Sequence, residues 1–505
     1  MRFVDGGPGD DGEEDGGGAV GLPPEPPTIL APTEGDVIRD VSGTTVAAGG
    51  YSEPDGDALA ATEFEVWDVV DGARVERIWR GEVDGASDPA ARSLPEGTFE
   101  GSHRDQGRLG WDDPYAIRAR FVDARGARSD WSAEVFFRTD LESWDIYDTE
   151  RVPEFHLDVD AAGWAELWTH EACTANPYVR ASFTYEGEVY DCVGVRLKGC
   201  VGSFRSLDRK AGFKIKFNFE ECDVEQRFHG LRGLTLNNGV QDSTALHQTL
   251  GYEYFRAAGV PAPRANSANL TVNGELWGLY ANVESYNVDF IEQWFDDSTG
   301  DLYEQGCGDL WDGAEDCYDL ETNEDAPEGR DDLEEMIDFL NYEPDGTWYT
   351  NIRQYVDYDQ FLTFSAIESI LNHWDGYTYA PNNFRIYHDP TTDLFTFIPS
   401  GIDQTYLGDI DFYGEGLWGP RPLMGRRCMD SAECTADFTA ALEAVVVLLE
   451  EIDQGPRAQR LYDVIAPSVL ADPRKEYDRF WFNQSYQNLL DWIAARPDTA
   501  RLQLP

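Results

Sequence analysis

The spacing of apolar residues changes along this chain, and the order of the changes limits the folds it can adopt. In residues 28–140, short runs such as Tyr115–Val122 alternate apolar and polar positions between turn signals, which is typical of a β-sandwich. Residues 141–505 mix strands with one helix, Ser243–Ala258, until helical spacing takes over near Asp331. The pattern predicts an N-terminal all-β sandwich and a larger α+β domain whose C-terminal part is helical.

Residues 1–27 consist mostly of glycine, proline and acidic residues. A segment with so little apolar surface cannot form a core, so we expect a disordered acidic spacer. Such a spacer suits the stalk of an extracellular or cell-surface protein and would carry a surface tether. Met1–Asp5 does not have the pattern of a signal peptide, so export would require a secretion or lipoprotein leader outside this chain.

Strand patterns in the first half of residues 141–505 occur in pairs. Val193–Gly199 and Phe213–Phe219 flank a loop rich in glycine and serine, and Asn273-Gly274 predicts a hairpin turn. The two hairpin strands are Ala268–Val272 and Leu276–Val283. The later helices are Asp331–Leu340, Tyr358–His373, Ala436–Ile452 and Tyr477–Ala495. A β-rich half therefore precedes a helical half, which is the order of a two-lobed kinase and also of other α+β enzymes.

The net charge of −57 excludes several classes of partner. The phosphates of nucleic acids and the surface of anionic membranes would repel this chain. No run reaches the ~18 apolar residues of a membrane helix, so we expect no transmembrane segment. A basic protein would be attracted, and we expect a partner of that charge.

The eight cysteines show no metal-site spacing, since the sequence contains no Cys-x-x-Cys pair and no Cys/His cluster. We therefore expect disulfide bonds formed in an oxidising compartment. Cys307 with Cys317, and Cys428 with Cys434, each close a short loop. The pairing of the other four stays open at this point: Cys173, Cys192, Cys200 and Cys222.

Lysine is rare and clustered. Only five lysines occur in 505 residues, and four of them lie within 19 positions: Lys198, Lys210, Lys214 and Lys216. An ammonium group is a compact charge suited to phosphate oxygens, and the Gly199–Ser203 loop would let backbone N–H groups approach an anion. Lys214 and Lys216 share one strand face beside that loop. The cluster favours a phosphate site, and a solvated lysine face is the alternative.

Three polar residues downstream have the order that phosphoryl transfer requires. Asp375 follows the Tyr358–His373 helix, Asn383 opens a strand, and Asp403 follows the next hairpin. This chemistry uses one carboxylate near the reacting hydroxyl, and an asparagine and a second carboxylate on a metal ion. Spacing alone leaves an ordinary alternative, in which these residues cap turns or lie on the surface.

The chain also resembles a known family through stretches that run in order over more than half of its length. These are VGVRLKG (193–199), FKIKF (213–217), LTLNN (234–238), GVPAPRANSANLTVNGELWGLYANVES (259–285), LNHWDGY with NNFRIY (371–387) and DLFTFIPSGID (393–403). On these stretches it resembles the CotH family, atypical secreted kinases named after spore coat protein H. Through Ser52–Asp57 and Phe64–Asp68, residues 28–140 resemble fibronectin type III or cadherin-like modules.

The resemblance implies a two-lobed, kinase-like catalytic domain over residues 141–505, with ATP and Mg or Mn as cofactors. It implies transfer of the γ-phosphate to Ser/Thr of an exported protein, and the charge favours a basic, Ser/Thr-rich one. It makes Asp375 the catalytic residue and Asn383 and Asp403 metal ligands. The residues that it assigns to nucleotide binding are Lys198, Gly199, Gly202, Ser203, Lys214, Lys216 and Glu284.

One departure from the family pattern bears directly on activity. The family's Pro-Trp-Asp-x-Asp is Pro399-Ser-Gly-Ile-Asp403 here, so Gly401 stands at the position of the first aspartate. The family's Gly-Asn-Ser-Ser is likewise replaced by Gly199-Cys-Val-Gly-Ser203. Three functions stay open: an active protein kinase, a phosphotransferase acting on a sugar or other small molecule, and a pseudokinase or surface binding protein that uses the fold without catalysis.

Overall fold

The chain folds into two compact units, Met1–Asp145 and Ile146–Pro505. The computed structural model describes residues 22–70, 72–85, 87–104, 106–222, 226–306, 308–323, 330–416 and 421–505. Most of the predicted spacer, residues 1–21, lies outside the described residues. Among the described residues, no helix is long and apolar enough to cross a membrane.

The first unit is a two-layer β-sandwich. Its elements are β1 (Thr28–Ala31), β2 (Val37–Ile38), β3 (Thr45–Gly49), β4 (Leu59–Val70), β5 (Ala73–Asp84), β6 (Ala90–Ser93), β7 (Thr98–Phe99), β8 (Pro114–Asp123), β9 (Val135–Thr139) and, overlapping its end, α1 (Ser143–Ile146). The sheets have the orders β1-β3-β6 and β2-β9-β8-β4-β5-β7. Val46 and Ala90 of the smaller sheet share one core with Phe64 and Trp79 of the larger, because alternate residues of each strand face inward.

The β-rich part of the second unit is a closed barrel. Its strands are β10 (Glu154–Val159), β11 (Val179–Tyr185), β12 (Glu188–Lys198), β13 (Gly212–Lys216), β14 (Gly233–Asn237), β15 (Ala265–Val272) and β16 (Glu275–Glu284). They follow the order β10-β11-β12-β13-β14-β16-β15, and parallel pairing of β10 with β15 closes the barrel. Leu197 and Phe213 belong to the interior core, so the alternate residues Lys198 and Lys214 point outward.

The rest of the second unit is a four-stranded sheet covered by helices. The strands are β17 (Leu302–Gln305), β18 (Tyr318–Leu320), β19 (Phe384–Asp389) and β20 (Leu394–Pro399), in the order β18-β17-β19-β20. The helices of this unit are α2 (Ala161–Leu167), α3 (His247–Ala257), α4 (Val288–Ile291), α5 (Asp331–Tyr342), α6 (Asp345–Asn351), α7 (Tyr358–Leu371), α8 (Leu423–Met429), α9 (Ala432–Ile452), α10 (Gln454–Ala471) and α11 (Arg479–Arg501). Every residue of α7 from Phe364 to Leu371 is buried, and the helix shares one core with α3, α9 and β19.

The sequence-based prediction differs from the structure at the start of α3, at the end of α7 and over the whole of α10, each for a local reason. Helix α3 begins at His247 rather than Ser243, because the Asp242 carboxylate accepts backbone N–H bonds from Thr244 and His247. Helix α7 ends at Leu371, where Asn372 adopts a left-handed conformation. Helix α10 was not predicted, because its prolines and its glycine obscure the helical pattern.

Disulfide bonds, expected from the cysteine content, are present. Two of them join the four cysteines whose pairing the sequence left open, Cys173–Cys200 and Cys192–Cys222. The predicted Cys428–Cys434 bond is confirmed. The predicted Cys307–Cys317 bond involves Cys307, which lies outside the described residues. The Cys173–Cys200 bond ties the segment before β11 to the glycine-containing loop after β12.

Candidate functional site

Lys198 is a partly buried cation on the outer wall of the barrel. Its Nζ donates to Asn237 Oδ1 on β14, and Asn237 Nδ2 donates to Gln248 Oε1 on α3 at 2.6 Å. Burial and the neighbouring Lys214 lower the pKa of Lys198 to about 8, while Asp403 opposes this shift. Lys198 is therefore anchored to helix α3 and lies within electrostatic reach of Asp403.

The other two strand lysines have different surroundings. Lys214 forms no hydrogen bond or ion pair with any residue that the structure describes, and its charge acts on Lys198 and Glu321. Lys216 pairs with Glu220, and its ammonium lies 5.9 Å from the Tyr178 ring. The two lysines share a strand face as predicted, but only Lys214 joins Lys198.

The glutamate that the resemblance assigned to nucleotide binding and a glutamate of α3 both have partners elsewhere. Glu284, assigned to nucleotide binding, forms an ion pair with Arg264 in which both side chains are only 1% exposed. Glu253 Oε2 of α3 accepts a hydrogen bond from Arg457 Nε of α10 at 3.1 Å. The geometry therefore gives both a structural role, and Gln248 is the α3 residue linked to Lys198.

The loop after β12 is held in a fixed conformation. Gly199 and Gly202 have φ values of 122° and 82°, and a Cβ on Gly199 would lie 2.9 Å from the backbone of Phe204. Ser203 Oγ accepts the backbone N–H of Cys200 at 3.1 Å, and Cys200 is cross-linked to Cys173. The loop thus needs its glycines, as a phosphate cover would, and its movement is restrained.

Asp375 is held by two amides in the loop after α7. Asn383 Nδ2 donates to its Oδ2 at 2.9 Å, and Asn382 Nδ2 donates to its Oδ1 at 3.1 Å. Below this loop, His373 Nδ1 and Glu368 Oε1 are 3.0 Å apart, and both side chains are fully buried. The partly exposed Asp375 carboxylate is therefore oriented by its neighbours before any ligand is present.

Gly401 packs directly against Asn383. Its φ of 56° is left-handed, and a Cβ built there would lie 2.5 Å from Asn383 Oδ1. The family aspartate at this position would therefore require Asn383 to move. In this chain the glycine leaves room for Asn383 to bond Asp375.

Asp403 lies in a 3-10 turn, Ile402–Gln404, just after β20. Its backbone carbonyl lies 2.8 Å from His247 Nδ1, and its carboxylate receives no hydrogen bond from another described side chain. Burial raises the pKa of Asp403 to about 6, and the Asp242 carboxylate adds to the shift. A partly buried carboxylate to which no other described side chain donates fits a divalent cation, which would stabilise its charged form.

The structure adds three charged residues that sequence reasoning did not assign. Glu304 of β17 pairs with Arg385 of β19, and Glu321, next to β18, lies 3.8 Å from the same guanidinium. The charges of Lys198 and Lys214 act on Glu304. Arg385 lies within NNFRIY, one of the stretches that carry the family resemblance. No motif marks the two glutamates, because β17 and β18 join the sheet of β19 only through tertiary pairing.

Comparison with known proteins identifies the family. Residues 195–500 match the family described as CotH kinase protein, which is more than half of the chain, so the chain belongs to the CotH family. It is 25% identical over 289 residues to the inner spore coat protein H of Bacillus subtilis, covering 53% of this chain and 77% of that protein. The resemblance seen in the sequence is confirmed.

Two relatives from Rhizopus delemar show similar identity. Spore coat protein homolog 1 is 30% identical over 289 residues, covering 50% of this chain and 46% of that protein. Invasin CotH7 is 24% identical over 289 residues, covering 50% and 47%. The chain spans about half the length of these fungal relatives.

Among solved structures, the proinflammatory kinase CtkA of Helicobacter pylori matches 66% of this chain and 94% of its own, with 8% identity and a TM-score of 0.27. A human fibronectin type III domain matches 26% of this chain and 95% of its own, with 16% identity and a TM-score of 0.15.

Replacing Gly401 with alanine should destabilise the site more than a matched glycine replacement elsewhere. The new Cβ would be strained by the left-handed φ and would displace Asn383, at a cost of about 2 kcal/mol or more. Gly239 has a φ of 65° with no atom within 4 Å of a Cβ, so Gly239→Ala should cost only about 1 kcal/mol. Chemical denaturation compares the two, and equal losses would contradict the packing argument.

Proposed function

We propose that this protein is an exported, metal-dependent CotH-type kinase that transfers the γ-phosphate of ATP to Ser/Thr of a secreted or surface protein. The observation that carries the proposal is the grouping of Lys198, Asp403, Asn383 and Asp375 around one region of the second unit. The charges of Lys198 and Asp403 act on each other. Gly401, two residues before Asp403, packs against Asn383, and Asn383 donates a hydrogen bond to Asp375. The two most distant of these four residues in the sequence, Lys198 and Asp403, are 205 positions apart.

In this proposal the barrel with α3 forms one lobe, and the four-stranded sheet with its helices forms the other. Lys198 and Lys214 hold the phosphates from the barrel side, and the Gly199–Ser203 loop covers them. Asp403, with Asn383, holds Mg or Mn, which would neutralise charge on the transferring phosphoryl group. Asp375 orients the substrate hydroxyl and accepts its proton.

The expected location and protein substrate are inferred from the disulfide bonds, the relatives and the net charge, and not from the geometry of the site. The disulfide bonds indicate an oxidising compartment, and the relatives include proteins named for the spore coat and as invasins. The net charge of −57 favours a basic, Ser/Thr-rich segment on the substrate. A surface tether through the N-terminal spacer fits the same location.

The direct test is transfer of labelled γ-phosphate from ATP to a basic, Ser/Thr-rich acceptor protein, with Mg or Mn added in turn. We expect incorporation that requires the metal and is absent with chelator. Incorporation that is independent of metal would contradict the role assigned to Asp403.

A second candidate is a pseudokinase or non-catalytic surface protein, and Gly401 favours it. Because Asn383 bonds Asp375 here, it is turned toward the carboxylate rather than free for a metal ion. This candidate predicts no incorporation of phosphate and no change in melting temperature on addition of ATP with Mg or Mn. A shift in melting temperature without transfer would indicate a nucleotide-binding pseudokinase.

Nucleotide affinity should fall as the pH rises through about 8. The pKa of Lys198 in the free protein is about 8, so the ammonium that attracts phosphate is lost above that pH, and each further unit weakens binding up to about tenfold. Titration calorimetry between about pH 7 and about pH 9 measures this slope. In Lys198→Met, affinity should be lower throughout and the slope should disappear. An unchanged slope in this variant would assign the titration to another group.

A further inference from the structure

Glu304 and Glu321 form a carboxyl pair beside the proposed phosphate site. Glu304 pairs with Arg385, and Glu321 lies 3.8 Å from Nη2 of the same guanidinium. Burial and the neighbouring Glu304 raise the pKa of Glu321 to about 7, while Arg385 lowers that of Glu304. Glu304 therefore ionises more readily than Glu321.

The group has hydrogen-bonding capacity that the described residues do not use. The Arg385 side chain is 7% exposed, and its Nε is buried without a hydrogen-bond partner. The side chains of Glu304 and Glu321 are 40% and 21% exposed, so each presents oxygen atoms to a ligand. A buried donor without a partner is costly, which points to a bound group that supplies an acceptor.

The charges limit what that group can be. A metal ion would be repelled by Arg385 and by the nearby Lys214 and Lys198, whose charges act on Glu304. A phosphate group would be repelled by two carboxyl groups of which at least one is ionised. A neutral group that offers two O–H donors and oxygen acceptors satisfies both glutamates and the guanidinium.

We propose that Glu304 and Glu321 hold the 2′ and 3′ hydroxyls of the nucleotide ribose, with Arg385 Nε donating to one of these oxygens. The inference rests on the proposed function, since it assigns the sugar of the same nucleotide. Both lysines that would hold phosphates act electrostatically on Glu304, and ribose is the part of the nucleotide joined to the phosphates. Carboxylates bind ribose hydroxyls in this way in other nucleotide sites.

The test compares the affinity of the full chain for ATP, 2′-deoxyATP, GTP and inorganic tripolyphosphate, each with Mg. The wild type should bind ATP about tenfold more tightly than 2′-deoxyATP, the effect of one hydrogen bond to a charged group. Glu321→Gln should reduce this preference below about threefold and leave affinity for 2′-deoxyATP and tripolyphosphate unchanged. Glu334→Gln, which removes an exposed charge on α5, should behave as wild type.

The outcomes separate this inference from the function on which it rests. Equal affinity of the wild type for ATP and 2′-deoxyATP would overturn the ribose assignment while leaving nucleotide binding intact. Loss of discrimination between ATP and GTP in Glu321→Gln, with the deoxy preference kept, would mean that the pair contacts the base. Binding of tripolyphosphate without binding of any nucleotide would overturn the proposed function and the ribose assignment together.

Discussion

Asp375→Asn is expected to lower the rate of phosphate transfer by about 10²–10⁴-fold, with ATP affinity changed less than about threefold. The carboxylate is the group positioned to take the hydroxyl proton, and an amide cannot do so. Asn382 and Asn383 each donate to one carboxylate oxygen of Asp375. In the variant one of these oxygens becomes an NH2 group, which cannot accept the hydrogen bond that the asparagine donates. Initial rates with labelled ATP, together with calorimetric affinity, measure the two effects separately.

The matched control is Asp393→Asn in the turn between β19 and β20. Its side chain is 92% exposed, and asparagine tolerates its left-handed φ of 59°. Full activity in this variant and loss in Asp375→Asn would tie the effect to one carboxylate. Transfer that survives in Asp375→Asn would remove the role assigned to that residue.

Lys210→Met is expected to cost about 3–5 kcal/mol of unfolding free energy in the second unit. Lys210 Nζ is 2.5 Å from Asp472 Oδ2 and 2.6 Å from the carbonyl oxygen of Leu279. The two charged side chains are only 4% and 2% exposed, so removing the lysine leaves a buried carboxylate without its counter-ion. Chemical denaturation of the full chain, followed through the transition of the second unit, measures the loss.

Lys216→Met is the control for this prediction, because it removes a lysine of the same cluster. The Lys216–Glu220 pair is exposed, with 33% and 71% of the side chains accessible, so its loss should cost no more than about 1 kcal/mol. Similar losses in the two variants would show that burial does not set the strength of the Lys210–Asp472 pair.

Much of the local structure could be predicted from sequence because apolar spacing reports which face of an element is buried. Strands β8 and β16 and helices α5, α7 and α9 were all predicted close to their observed positions. The closure of the barrel could not be predicted from sequence, because it depends on parallel pairing of β10 with β15. These two strands are about a hundred residues apart in the chain. Strand alternation is the same in an open and in a closed sheet.

The residues of the candidate site also fall into those that the structure connects as the sequence predicted and those whose partners only the structure shows. Asp375, Asn383 and Asp403 were assigned from motif order together with the family resemblance. In the structure Asn383 bonds Asp375 and packs against Gly401, two residues before Asp403, and the charge of Lys198 acts on Asp403. Lys216 and Glu284 were grouped with them on spacing and resemblance, but their charges are paired with Glu220 and Arg264. Such partners come from other turns and strands, so they are invisible to a pattern along one segment.

The sequence by itself determined the family, the β-then-helical order of the chain, and the residue types available for phosphate and metal binding. Only the tertiary structure decided which of the four clustered lysines serve which role. Lys198 and Lys214 are directed to the shared site, Lys210 is buried against Asp472, and Lys216 is paired at the surface. The physical reason is that an ammonium has the same charge wherever it lies, while its burial and its counter-ion are set by distant parts of the chain.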